Sequence, residues 1–489
     1  MSKEQALKLK EEGNAFLKHN NFDQAVEAYT QAIALDNTSA VLYSNRAQAH
    51  IKLENYGLTI ADATSAIERD PDYRDLKLVL ARSPGDVASK KLDREVTKIL
   101  RQQAFSDAIL GEDEKGAIDS VDFDAMTVEA TYDGPALEIR TEWIDVVNSS
   151  HKKTRKVSVE MTREYIDNMV QRFKGGKQLP KKHAYAIVAA ANEVLKGEAS
   201  LVEIALATDT RDKSASHRLA RAHTLSVCGD THGQFYDVLN IFEQFGAISE
   251  THAYLFNGDF VDRGSWSCEV ALLLYAYKLL YPTQVYLNRG NHETDDMNEV
   301  YGFKDECKVK YSEKLYKVFS ESFNSLPFAA LIGGDYLIMH GGLFSRDNVT
   351  LDHIRKIDRF RYKQPPKEGI EMELLWTDPQ VPNGRAPSKR GIGMQFGPDI
   401  TERFCLTNKL KAVIRSHEVR MGGYEIEHNG RLITVFSAPN YCDSQGNLGS
   451  VIDMTMDEVD GEIELKYNTF TAVAHPDIAP MAYTNRMGF

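Results

Sequence analysis

The chain has 489 residues, of which 42% are hydrophobic and 26% charged, enough to bury the cores of two to four domains. A formal charge of −13 argues against general binding to nucleic acid or to an anionic membrane, and no uninterrupted apolar stretch is long enough to span a bilayer. Five scattered cysteines, odd in number and never in a CxxC pair, indicate neither a disulfide framework nor a thiolate zinc site and fit a reducing compartment.

The opening MSKEQALKLKEEGN lacks the apolar core of a secretory signal, and the expected location is cytoplasmic and nuclear. The first 71 residues read as helical and repetitive. Leu9, Gly13, Phe16, Ala25, Tyr29 and Ala32 recur 34 positions later as Tyr43, Ala47, His50, Thr59, Ala63 and Ala66. That period, with small and aromatic residues at the packing points, resembles the tetratricopeptide repeat, in which helix pairs stack around a concave surface. The second repeat closes at Asp70-Pro71, but Ser83-Pro84 follows only 13 residues later, so about one helix of a third repeat is missing. Residues 74–82 have the length of a single helix, and a charged helix is expected at 86–110. The repeat domain is therefore drawn as 1–110.

Residues 111–156 are acidic and then mixed, with Gly134-Pro135 and little periodicity, and read as a linker. Two basic islands, 151–156 and 211–223, read as solvated loops ahead of nuclear-import or docking patches. Between them KKHAYAIVAAANEVLKG predicts a helix packed on the core. From Leu225 strands alternate with helices, predicting an α/β catalytic domain within 157–489 with its core at 225–485.

In that domain, short apolar runs (TLSVC, AYLF, QVYLN, YLIM, KAVI) read as buried strands, and each ends in polar residues with metal-ligand chemistry. Asp230 and His232 lie two apart, so an extended backbone would point both at one cation. Asp259 has two carboxylate oxygens with which to bridge a pair, and Asn291, His340 and His417 supply an amide oxygen and two imidazoles for the second. Oxygen and nitrogen ligation without sulfur suits manganese, iron or zinc. A pair of such ions about 3.5 to 4 Å apart lowers the pKa of a bridging water and polarises a phosphoryl oxygen, giving a hydroxide aimed at phosphorus. His292, next to Asn291, is placed to protonate the leaving alkoxide, with Asp262 orienting it. Arg263 and Arg390 are candidates for clamping phosphate oxygens. A single histidine or aspartate at a strand end is usually a hydrogen-bonded loop residue; six in spacing compatible with one site are not. Arg289 and Arg415 read instead as buried ion-pair partners pointing away from the metals.

The motifs GDTHGQ, GDFVDRG, RGNHE, HGGLF, LLWTDP, RSHE and SAPNYCD, in this order, resemble the phosphoprotein phosphatase family of serine/threonine phosphatases. The repeats ahead of them narrow the resemblance to the branch that carries such repeats. It implies a metallophosphatase β-sandwich flanked by helices, with an all-α repeat domain attached. It implies one metal on Asp230, His232 and Asp259 and another on Asp259, Asn291, His340 and His417. Phosphate contacts would fall on Arg263, Asn291, His292, Arg390 and Tyr441, with His292 as general acid and Asp262 behind it. It further implies phosphoprotein substrates, and a clamp for the acidic C-terminus of the heat-shock protein 90 chaperone at Lys10, Asn14, Asn45 and, less exactly, Lys52. The missing third-repeat helix would have carried two more basic clamp residues, so chaperone binding is expected to be weakened. Glu54 matches an acidic residue with which the family's repeats suppress the cleft. A wider metallophosphoesterase reading is disfavoured because Arg-Ser-His-Glu stands where those enzymes carry Gly-His-x-His. A repeat scaffold with an inert phosphatase domain is disfavoured by the intact ligand set.

Overall fold

Gly13 governs how the first two helices meet. A Cβ there would lie 2.6 Å from the Tyr29 ring, so only glycine lets α1 (Ser2–Lys18) close on α2 (Phe22–Leu35). Ala25, Ala28, Tyr29, Ala32 and Ile33 form the buried stripe of α2, and α3 (Ala40–Lys52) adds Leu42, Tyr43 and Ala47. The chain turns between α2 and α3 at Asp36, whose carboxylate accepts from Thr38 N at 3.1 Å and Thr38 Oγ1 at 2.7 Å. Arg46 then grips Asp62 through two nitrogens at 2.8 and 2.7 Å.

This computed structural model describes residues 2–19, 21–53, 62, 65, 66, 69, 116–145, 153–206, 223–362, 364–457 and 459–478, and the chain divides into units 1–114 and 115–489. Glu54, the expected partial third repeat at 74–82, the helix at 86–110 and nearly all of the second basic island lie outside the described residues.

The second unit begins earlier than the sequence suggests. β1 (Glu138–Asp145) pairs antiparallel with β2 (Lys153–Glu160) along its whole length, and Ile118, Val121, Phe123 and Leu137 are buried in the main core. From residue 116 on, the expected linker is thus part of the catalytic unit. The pairing of β1 with β2 and the four buried apolar side chains hold it there.

β3 (Leu201–Ile204) is the edge of one sheet, and β4 (Thr224–Cys228), β5 (His252–Phe256) and β6 (Val285–Leu287) form the parallel part of another. β7 (Ala329–Ile332) and β8 (Tyr336–Met339) rejoin the first sheet. The short β9 (Asp378–Pro379), β10 (Arg385–Pro387) and β11 (Met394–Phe396) make a small sheet of their own. β12 (Ala412–Arg415), β13 (Tyr424–Glu427) and β14 (Leu432–Val435) complete a six-stranded sheet in the order β13-β14-β12-β8-β7-β3. β15 (Gly449–Met456) and β16 (Ile463–Phe470) complete a five-stranded one in the order β16-β15-β4-β5-β6.

The two sheets pack face to face. Leu225, Val227, Ala253 and Leu255 point inward and meet Ile338, Ile414 and Ile433 of the other sheet. On the alternate register Cys228, Tyr254 and Phe256 point outward onto helices. Among these helices is Lys181–Lys196, the expected core-packed helix, with eleven buried residues. Leu337, Met339 and Val413 on the far face meet Leu374, Leu375 and Phe404. The result is the helix-flanked sandwich that the family resemblance implies.

Candidate metal centre

β4, β5 and β6 are mutually parallel, as are β8, β12 and β14, so their carboxyl ends gather at one edge of the sandwich. An isolated bridge between Asp230 and Phe436 links the two sheets there. The turns after β5 and β6 touch: a Cβ on Gly258 would lie 2.5 Å from the Gly290 backbone, and one on Gly290 would lie 2.2 Å from Asp259 Oδ1. These glycines are what let two candidate ligand loops share one site.

Asp230 and His232 do not reach the site by extended backbone. His232 has φ 40°, and Asp259, Asp262, Arg263 and His417 have φ of 51°, 69°, 73° and 71°. Each strand gives way to a left-handed turn that redirects the side chain. A non-glycine residue there costs on the order of 1–3 kcal/mol, strain that is characteristic of functional sites. Asp230 and His232 still converge, with Nε2 3.6 Å from Asp230 Oδ2 and 3.7 Å from Asp259 Oδ2.

His340 Nδ1 is 2.8 Å from Asn257 O and donates to it, which leaves the lone pair on Nε2. That nitrogen lies 3.0 Å from Asn291 Oδ1, 3.2 Å from Asp259 Oδ2 and 3.3 Å from His417 Nδ1. His232 Nδ1 likewise faces Val261 O at 3.0 Å, turning Nε2 toward the carboxylates. His417 Nε2 is buried without a hydrogen-bond partner. Acceptors crowd one another with too few hydrogens between them, and cations satisfy that arrangement. Two groups have ligand atoms mutually within 4.8 Å: His232, Asp259 and His292, and Asp259, His340 and His417. Asp259 belongs to both, as a bridge would.

The electrostatics agree. Burial would raise the Asp259 carboxyl, yet the surrounding His340, His292 and His232 hold it well below the usual range. Burial opposes a charge on His340, but the Asp259 carboxylate outweighs it and pushes the imidazole up to about 9. His417 moves the other way, far down, through burial and then the charges of Arg390 and His340. Asp259 is therefore held as a carboxylate and His417 as a neutral imidazole, the forms that bind metal, whereas His340 would give up a proton to a bound cation.

Around this core, His292 Nδ1 lies 2.8 Å from Asp262 Oδ2. Arg263 stacks its guanidinium 3.9 Å over the Tyr301 ring, and its Nε has no hydrogen-bond partner. Arg390 Nε is 2.6 Å from Asp378 Oδ2, and Nη2 is 3.2 Å from His417 O. The Tyr441 ring sits 5.1 Å from that of His232. Arg415 is fully buried and pairs with Asp378 at 3.0 Å and Glu418 at 2.9 Å. Arg289 is buried too, but bonds Glu293 O and Asn324 Oδ1 rather than a carboxylate, and burial lowers it to about 10.

Four residues that the sequence reading passed over hold the site in place. Glu293 accepts from the backbone N–H groups of Asp259, Phe260 and Gly290 at 2.8, 3.0 and 2.8 Å, fixing two ligand loops with one carboxylate. Asn257 fixes β8 and β12 through Met339 O and Ser416 Oγ. Asn298 donates to both Asp262 Oδ2 and His292 O. Asp378 joins Arg390 to Arg415. Glu293 and Asp378 lie inside the motifs RGNHE and LLWTDP, which was the available signal; Asn298 carries none.

In the first unit, Asn14 Oδ1 accepts from Tyr29 OH at 2.7 Å and Asn45 Nδ2 at 2.9 Å, so two of the expected clamp residues touch each other. Lys10 is half-buried on the same helix, and Lys52 is exposed at the end of α3.

Family models match residues 223–421 as a calcineurin-like phosphoesterase, 94–203 as the PPP5 TPR repeat region and 13–53 as a TPR repeat. The chain is 50% identical to serine/threonine-protein phosphatase T of Aspergillus oryzae, over 98% of this chain and 97% of that protein. It is 44% identical to serine/threonine-protein phosphatase 5 of Homo sapiens, over 99% of this chain and 93% of that one. A solved Saccharomyces cerevisiae serine/threonine phosphatase, described as similar to human phosphatase PP5, superposes with a TM-score of 0.61 at 54% identity, covering 66% of this chain and all of its own. Matched over nearly its full length by these relatives, the chain belongs to the family of serine/threonine-protein phosphatases 5 and T.

Proposed function

We propose that the chain hydrolyses phosphoserine and phosphothreonine esters on proteins at the strand-end centre, with two divalent ions whose ligand sets share Asp259. The observation that carries this is the ring of acceptors around His340 Nε2, with Asp259 common to both groups. Asp230, His232 and Asp259 would hold one ion, and Asp259, Asn291, His340 and His417 the other. Manganese, iron and zinc all suit this donor set. When bound, such a pair activates a water near neutral pH and neutralises charge on the phosphoryl group.

The chain's own residues do the rest. Arg263 and Arg390, with Asn291, His292 and Tyr441, receive the phosphate oxygens. The unpartnered Arg263 Nε gives that residue a free donor. Arg390 is held in place by Asp378. His292 passes a proton to the departing serine or threonine oxygen while Asp262 fixes its ring, and Asn298 fixes Asp262. Turnover of a phosphoserine peptide tests the reading, with metal content measured on the same sample. Two equivalents of metal and turnover that collapses in Asp259→Asn are the expected result. Turnover that survives that substitution would overturn it.

The repeat unit supports partner binding and restraint of the cleft, with Glu54 as the inhibitory contact. For the heat-shock protein 90 C-terminus we infer weak capture, because Lys10, Asn14, Asn45 and Lys52 are only part of a clamp. Calorimetry giving micromolar affinity for an acidic C-terminal peptide would refute this. Location in cytoplasm and nucleus is in keeping with the composition.

A further inference from the structure

We infer that a second cavity in the catalytic unit is a docking socket for an apolar side chain flanked by carboxylates on a protein substrate. The inference rests on the phosphatase reading for the word substrate, though not for the socket itself. The cavity measures about 200 Å³ and opens between the loop that follows β8 and the helix Pro398–Asn408. Its floor is Leu343, Phe344, Val349, Ile400 and Phe404, all buried. Leu406 on its edge is 63% exposed, a large apolar side chain left in water beside an apolar hollow.

The rim decides which occupant fits. Arg346, Arg385 and Arg403 line the cavity with a single carboxylate, Asp347. Arg385 and Arg403 share that carboxylate at 2.7 and 3.6 Å, and Arg403 also reaches Asp399 at 3.0 Å. Arg346 has no carboxylate partner among the described residues. A surplus of guanidinium around an apolar floor, on a chain whose formal charge is −13, selects an acidic segment with an apolar anchor. A basic peptide would meet like charge.

The socket is also close to the chemistry. Leu343 and Phe344 follow the ligand His340 after only Gly341 and Gly342, so the Cα of Leu343 lies at most about 11 Å from that of His340. On the other side, Arg385 donates to Phe344 O at 2.8 Å and begins the hairpin that ends at β11; Arg390 lies within it. A peptide anchored here could reach the metal centre with about four to six extended residues.

The test uses the full chain and two readouts. Fluorescence anisotropy follows a labelled Gly-Asp-Glu-Leu-Glu-Asp-Gly peptide, with serine in place of leucine and lysines in place of the acids as controls. Steady-state kinetics then compares phosphoserine peptides carrying these segments on either side, with p-nitrophenyl phosphate as a substrate too small to reach the socket. The acidic leucine segment should bind tightest and lower KM about tenfold at constant kcat. The double variant Arg346→Glu, Arg403→Glu should abolish both effects and leave p-nitrophenyl phosphate turnover unchanged. Equal binding of the acidic and basic segments, or a preference that survives the double variant, would overturn the socket. So would concentration-dependent dimerisation that the double variant abolishes, since a second copy would then be the occupant. The anisotropy decides the socket whatever the turnover, while the phosphatase reading stands or falls separately on phosphoserine-peptide turnover and metal content in Asp259→Asn.

Discussion

The Asp262 carboxylate, fully buried, lies 2.8 Å from His292 Nδ1 and also accepts from Asn298 Nδ2 and Phe303 N at 2.9 Å each. It therefore cannot swing away, and the imidazole it holds presents only its other nitrogen to substrate. Asp262→Asn would keep the shape and lose that control. We expect kcat on a phosphoserine peptide to fall about 10²-fold, the lower end of what general acid catalysis supplies. The loss on p-nitrophenyl phosphate should be much smaller, because its leaving group departs without a proton. Equal losses on the two substrates would remove His292 from the proton-transfer role.

Asp378 joins two arginines of different purpose. It pairs with the wholly buried Arg415 at 3.0 Å and with Arg390 at 2.6 Å. Asp378→Asn should cost about 1–3 kcal/mol of stability, because the buried Arg415 loses one of its two carboxylates and keeps only Glu418. It should also raise KM for phosphopeptides by about tenfold by freeing Arg390, with a smaller effect on kcat. Urea unfolding and steady-state kinetics on one preparation read both, and an unchanged KM would take Arg390 out of phosphate binding.

Away from the centre, His183 sits in the helix Lys181–Lys196 with its Nδ1 2.9 Å from Tyr165 OH. Burial lowers it from 6.5 to about 4; nearby Glu129 opposes this, and Lys182 and Arg172 reinforce it. Between those values the unfolded chain binds a proton that the folded chain refuses. The stability associated with neutral His183 is therefore complete above pH 6.5 and is lost as pH falls toward about 4. Melting temperatures of the metal-free protein and of His183→Gln should converge as pH drops through this window. Parallel curves would show that the folded protein tolerates the charge.

The candidate ligands were legible because each ends an apolar strand, and parallel strands gather their carboxyl ends. The runs ending before Asp230, Asp259, Asn291, His340 and His417 needed only that rule. How the ligands turn inward was not legible. A periodicity argument treats Asp230 and His232 as one extended strand, whereas the backbone has already become left-handed at His232. The place of Glu293 in RGNHE marked it, but its role was not legible, because no spacing encodes a carboxylate that accepts from backbone N–H groups. β1 escaped notice because its side chains are mostly exposed and half of them are charged. Its place is fixed by the partner strand and by Ile118, Val121 and Phe123 before it.

That last point moves the boundary at which the two units can be separated. All eight residues of β1 pair with β2, including Thr141 with Val157, so a fragment starting at Val157 removes one strand and cuts the other. It also strips Ile118, Val121, Phe123 and Leu137 from the core, each worth about 1.5–3 kcal/mol when buried. We expect 157–489 to melt well below 115–489 or to aggregate, as differential scanning calorimetry would report. The longer fragment is then the proper comparison for restraint by the repeat unit. It should turn over a phosphoserine peptide faster than the full chain, with p-nitrophenyl phosphate accelerated as well if the repeats cover the metals. Equal rates for the full chain and 115–489 would sink autoinhibition, and with it the role given to Glu54.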